Sequence, residues 1–190
     1  MEGALNRRDF LKLSAKAAAL ASSGGLLLLP EIVLADDSRF WKRSRVLSIY
    51  RPASRERKNI KFFADGQYIQ EGYKALCWMM RDVVDNHQMH AININLINLM
   101  FAQQQYLRDL GRPNPELVLH SGFRTRRHND SLEGAAKNSQ HLSGNAGDFH
   151  IERASLSELA ALARRFRVGG IGIYSTFIHN DIGVYREWRK

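Results

Sequence analysis

Ser139-Gln140-His141-Leu142-Ser143-Gly144-Asn145-Ala146-Gly147-Asp148-Phe149-His150 decides how this 190-residue chain is read. A histidine and an aspartate, His141 and Asp148, are separated by a stretch that contains two glycines and an alanine. The glycines permit tight backbone conformations, and the alanine leaves room beside its neighbours. As a strand, 146–151 turns Ala146, Asp148 and His150 to one face and Gly147, Phe149 and Ile151 to the other. An aspartate in a central strand is costly to bury unless positive charge meets it, and a metal ion supplies that charge. Phe177-Ile178-His179-Asn180-Asp181 repeats the alternation, with His179 and Asp181 on one face. Two histidines and an aspartate offered from strands, with one coordination position left for water, would form a hydrolytic Zn2+ site; structural zinc sites normally close all four positions. Taken singly, each histidine reads more simply as a surface or core residue, and spacing alone leaves that alternative open.

Outward from this stretch, the pattern predicts strands at Val46–Tyr50 and Asn59–Phe63, with a turn through Arg51-Pro52-Ala53-Ser54. Tyr73, Leu76, Cys77, Met80 and Val84 recur at helical spacing over 70–86, and a second helix spans 93–110 up to Gly111 and Pro113. Residues 116–122 read as a strand running into Gly122. A third helix over 156–166 is announced by Ser155 or Ser157 as its cap, and residues 169–181 form two strands joined around Ser175. Helices together with strands from the middle and end of the chain predict an α+β domain, with helices packed on one antiparallel sheet. Cys77 is the sole cysteine, which excludes a disulfide framework and a thiolate zinc knot, and its place on a buried stripe makes it a core thiol.

Composition is uneven along the chain. Asn6-Arg7-Arg8-Asp9-Phe10-Leu11-Lys12 precedes an uncharged run, 17–30, broken by glycines and a proline. That run is shorter than the roughly 20 apolar residues of a membrane span. A paired arginine ahead of a mildly apolar run is the layout of a twin-arginine export signal. Val33-Leu34-Ala35 supplies a peptidase site, so 1–35 reads as the signal and 36–190 as the domain delivered to the periplasm or cell envelope. Retention of the signal as a tether is the alternative. Residues 36–61 carry nine basic groups against Asp36, Asp37 and Glu56. Such a segment suits peripheral association with an anionic wall or membrane, or is a plain solvated face; export argues against nucleic acid as a partner.

Ser139-x-His141-x-x-Gly144-x-Ala146-x-Asp148 resembles the signature of the D-alanyl-D-alanine metallopeptidase family, whose fold is shared with the hedgehog signalling domain. Ser121-Gly122-Phe123-Arg124-Thr125 and Phe177-Ile178-His179-x-Asp181 are similar to its flanking motifs. The Gly169–Tyr174 run with Gly183, Arg186 and Trp188 resembles an exported branch of the family, and the likeness extends from Val46 to Trp188. The resemblance implies a hedgehog/DD-peptidase-like α+β fold with a central antiparallel sheet. It makes His141, Asp148 and His179 the zinc ligands and Arg124 the group that binds the scissile carbonyl oxygen, with a structural salt bridge as the alternative for Arg124. Ser139 would orient the signature loop. The implied activity is a monomeric zinc endopeptidase hydrolysing peptide cross-links of peptidoglycan during wall growth or remodelling. A D-alanyl-D-alanine carboxypeptidase and a non-catalytic zinc-containing peptidoglycan-binding module are the alternatives. One position departs from the pattern: many members place an acidic general base three residues before the last zinc histidine, and Thr176 stands there. Asp181 either substitutes as the catalytic base or holds the His179 imidazole in its tautomer. His150 is a third candidate for proton transfer or substrate contact.

Overall fold

The computed structural model describes residues 37–190. The expected export signal and its expected cleavage site lie outside the described residues. In chain order the elements are α1 (Asp37–Lys42), β1 (Arg45–Arg51), β2 (Glu56–Ala64), β3 (Gln67–Tyr68), α2 (Gln70–Met79), α3 (Ile94–Asp109), β4 (Leu117–Ser121), α4 (Arg126–Ser131), β5 (Ala146–Ile151), α5 (Leu156–Phe166), β6 (Gly170–Ile173), β7 (Ile178–Asp181) and β8 (Arg186–Arg189). The strands form one sheet in the order β3-β2-β1-β4-β5-β7-β6-β8.

The α+β class is as expected, but the sheet is mixed, not antiparallel: β1 pairs parallel with β4, and β6 with β8. The first parallel pair follows from the crossover through α2 and α3, which returns the chain in its original direction. The second arises because β8, unforeseen in the sequence, turns back after β7 and so runs alongside β6. Where β1 and β4 share only two register positions, the buried Gln104 of α3 completes the edge. Its amide donates to the Ser48 carbonyl at 2.7 Å and accepts from the Ser48 N–H at 2.9 Å.

One sheet face carries Leu47, Ile49, Leu117, Leu119, Phe149, Ile151 and Ile178 into a core shared with Leu76 and Met79 of α2, Leu96 and Met100 of α3, and Leu159 and Phe166 of α5. Helix α5 begins as the pattern dictates: Ser155 caps it and Glu158 returns the bond, closing a capping box. Cys77 is buried in the same core. Asn180 also points to the helices, accepting from Gln103 at 2.6 Å, so alternation turns His179 and Asp181 to the opposite face.

Helix α2 stops at Met79, short of the expected 86. Buried Arg51 reaches in from β1 and donates to the carbonyls of Met79 at 2.7 Å and Arg81 at 2.5 Å, taking acceptors that a longer helix would use. Asp82 then accepts from the Val84 and Asp85 N–H groups and turns the chain. Val84, expected in the core, is 69% exposed. The basic segment is accordingly less of a surface feature than its charge suggests. Arg51 is interior, and Arg45 lies over the Phe63 ring with bonds to Asn98 Oδ1 and the Trp41 carbonyl, each at 2.7 Å.

Arg51→Leu is expected to destabilise the fold by about 2–4 kcal/mol, read by urea denaturation, because it leaves two inward carbonyls without donors. Beside it, burial disfavours the ionised Glu56, but the Trp78 N–H at 2.9 Å and the Arg81 guanidinium at 2.8 Å favour it, and its pKa is held at about 2 against 4.5. A carboxyl depressed in the fold stabilises above its unfolded pKa and loses that contribution as pH falls through its folded pKa. Glu56→Gln should therefore flatten the stability curve between pH 4.5 and about 2.

Candidate metal centre

The predicted donors come from three pieces of chain. His141 sits on a 3-10 turn, Gln140–Ser143, and its own N–H is met by the Ser139 hydroxyl at 3.4 Å. The turn closes at Gly144, whose φ of +65° favours glycine. Asp148 and His179 face each other in register on neighbouring strands β5 and β7. All three side chains are buried.

Their ligand atoms converge. Asp148 Oδ1 lies 3.2 Å from His141 Nε2 and 2.8 Å from His179 Nδ1, and the two imidazole nitrogens are 3.2 Å apart. The opposite nitrogen of each ring is held by an oxygen. His141 Nδ1 donates to the Gly122 carbonyl at 2.6 Å, and His179 Nε2 donates to Asp181 Oδ2 at 3.1 Å. These bonds fix the tautomers so that both inner nitrogens present lone pairs to one point beside a carboxylate oxygen. Zinc bonds of about 2.0–2.2 Å in tetrahedral geometry set donors about 3.3 Å apart. Two nitrogens and one oxygen at the observed separations fit such an ion, with a position left over.

The electrostatics agree. Burial opposes charge on Asp148, but His141 and His179 outweigh it and hold the carboxyl far below the usual range. Burial pushes His141 down, leaving a neutral imidazole. Burial also pushes His179 down, yet bonds to Asp148 and Asp181 prevail and raise it. The ionised Asp148 and the neutral His141 imidazole are thus in the forms that bind a cation.

The structure brings Arg124 to the cluster. Its guanidinium donates to Asp148 Oδ2 and, at 2.8 Å, to the Ser121 hydroxyl, while its backbone N–H meets the His141 carbonyl at 3.2 Å. Asp181 is fully buried on the outer side of His179. Its oxygens accept from His179, Arg186, Gly170 N–H and Gly183 N–H. Burial disfavours its ionised form, but these donors prevail and hold it below the carboxylate range. Of the two roles open to Asp181, this geometry supports holding the imidazole. Thr176 is exposed. His150 bonds His120, at 2.9 Å between His120 Nε2 and His150 Nδ1. Gly122, whose contribution is a carbonyl, and Arg186 stood in quoted motifs without a role, and His120 was read only as part of a strand.

Two imidazoles and a carboxylate with an open position, flanked by a guanidinium, could hold the ion of a mononuclear metallohydrolase. Comparison with known proteins narrows the class. The family model for peptidoglycan L,D-endopeptidase MepK matches residues 40–188. The protein of that name from Escherichia coli strain K12 is 34% identical over 189 residues, covering 96% of this chain and 97% of its own. A probable peptidoglycan L,D-endopeptidase MepK from Haemophilus influenzae is 32% identical over 190 residues, covering 97% and 96%. The chain belongs to the peptidoglycan L,D-endopeptidase MepK family of metallopeptidases.

Asp181→Ala should weaken zinc binding about 10–100-fold by releasing His179 from its tautomer, measured by competition with a chromogenic chelator.

Proposed function

We propose that this chain is an exported, zinc-dependent endopeptidase of the hedgehog/DD-peptidase fold that hydrolyses peptide cross-links in peptidoglycan. The carrying observation is the convergence of His141 Nε2, Asp148 Oδ1 and His179 Nδ1, each imidazole pinned from behind. The names of the full-length relatives favour the L,D type of cross-link.

The protein's part of the chemistry is positioning and electrostatics. When bound, zinc polarises the amide carbonyl and lowers the pKa of a water molecule toward about 7. His141, Asp148 and His179 would hold it, and Gly122 and Asp181 keep the histidines aimed. Arg124 is anchored on Ser121 and Asp148, so its guanidinium stands at the donor cluster without having to reorganise. From there it donates to the oxygen that gains charge as the carbonyl becomes tetrahedral. Buried surroundings strengthen that interaction relative to water.

Delivery to the wall is the other half of the proposal. Arg7 and Arg8 ahead of the uncharged 17–30 run support export by the twin-arginine route. No described helix is long and apolar enough to cross a membrane.

The zinc-loaded chain should split cross-linked muropeptide dimers into monomers, seen by mass spectrometry, and a chelator should stop it; intact dimers with zinc-loaded protein would overturn the reading. Arg124→Ala should lower kcat by about 10²–10³ while zinc content, read by atomic absorption, stays at the wild-type level. Replacing both Arg7 and Arg8 by lysine should leave the precursor in the cytoplasm, read by fractionation and immunoblot.

A further inference from the structure

With Asp181 enclosed by donors and a threonine at 176, the proton movements of hydrolysis need another group. The sheet face that carries the metal donors provides one. Along β4 and β5, Leu119 pairs with Phe149, but the next pair is Ser121 with Asp148. His120 is therefore the extra residue of a β-bulge directly opposite a metal ligand. Bulges bend a strand and re-aim a side chain, often beside active sites. Here the bulge puts both residues to use: Ser121 bonds Arg124, and His120 bonds His150 from the Asp148 face of β5. The His120 ring also lies 5.5 Å from that of Phe177, two residues before His179. His120 is exposed, whereas the donor cluster is buried, so its ring is open to solvent beside the cluster's sheet face.

We propose that His120 is a proton-carrying residue of the reaction, a reading that rests on the hydrolase function proposed above. Its neutral imidazole takes a proton from the water whose oxygen bonds to the scissile carbonyl carbon. It returns that proton to the amide nitrogen as the C–N bond breaks. One peptide bond and one water thus become a carboxyl group and an amine, and His120 ends in its starting state. The bond to His150 fixes the orientation of the His120 ring.

The surroundings favour that neutral starting state. Burial, and then the neighbouring His150, lower the pKa of His120, while Asp148 acts in the opposite direction. The groups facing it are His150 and Asp148 from β5 and the uncharged Phe177 ring from the segment before β7. Glu152 acts on His150 and not directly on His120. A neutral imidazole can accept a proton near pH 7 and, once charged, is acid enough to release it to an amine.

The test uses the full chain loaded with zinc and purified cross-linked muropeptide dimers. His120→Ala and His120→Gln should each lower kcat by about 10²–10⁴-fold with KM and zinc content unchanged. The acidic limb of the kcat/KM profile should flatten in both, and free imidazole should restore part of the lost kcat to the alanine variant. A glutamine that keeps a hydrogen bond to His150 and restores wild-type kcat would show a structural role and overturn the inference, as would turnover within threefold of wild type in His120→Ala. Independently of turnover, adding muropeptide should shift the His120 ring resonances in an imidazole-detected NMR spectrum, and unmoved resonances would count against it. If the wild-type protein cleaves nothing while those resonances move, the hydrolase reading fails, and the inference fails with it for that stated reason.

Discussion

Asp148 is a carboxylate buried in the middle of an eight-stranded sheet, and the site is arranged around making that burial tolerable. An isolated charge in that position would be prohibitive. One of its oxygens converges with two imidazole nitrogens on the candidate metal position, and the other accepts from the Arg124 guanidinium. Breaking such a set by removing one partner leaves a buried charge uncompensated, which costs about 3–5 kcal/mol. The cost also explains why the three candidate donors come from segments distant in sequence: an environment that tolerates Asp148 had to be collected from across the fold.

That collection depends on strand register. Asp148 opposes His179 and Ala146 opposes Asp181, so both carboxylates and the histidine between them fall on one face. A slip of one residue between β5 and β7 would send His179 toward the helices and bring Ile178 to the metal face. The core opposes the slip, because Phe149 and Ile178 are fully buried on the helical side and Asn180 is bonded to Gln103. Hydrophobic packing on one face therefore sets how the candidate donors converge on the other.

This division accounts for what was legible in the sequence. Helices over 93–110 and 156–166 were readable because their apolar spacing and Ser155 cap are local signals, and observed α3 and α5 lie within those bounds. The facing of Asp148 and His179 was readable because strand alternation is also local. The early end of α2 was not, since its cause is Arg51 arriving from another strand. The parallel pairings were missed for a similar reason: direction is set by crossovers, which leave no mark on the strands themselves. Nine basic groups over 36–61 looked like surface charge, yet Arg45 and Arg51 serve inside the fold as multiple donors to carbonyl and amide oxygens. Residue counts report charge and not its location.

The partners hidden from the sequence share a physical feature: many are backbone groups, and backbone groups reach a buried side chain only where nothing projects between them. Gly122 presents its carbonyl to His141, and a Cβ there would press on the Met80 backbone. Gly170 presents its N–H to Asp181, and a Cβ there would lie 2.5 Å from Asp181 Oδ2. These glycines are needed for closeness, since neither has the positive φ that marks a conformational requirement. Side chains would hold the same imidazoles and carboxylate less rigidly, because each would bring rotamers of its own to be ordered. The site's preorganisation thus rests on main chain already fixed by the sheet, and the glycines of the motifs belong to the ligand geometry as much as the histidines do.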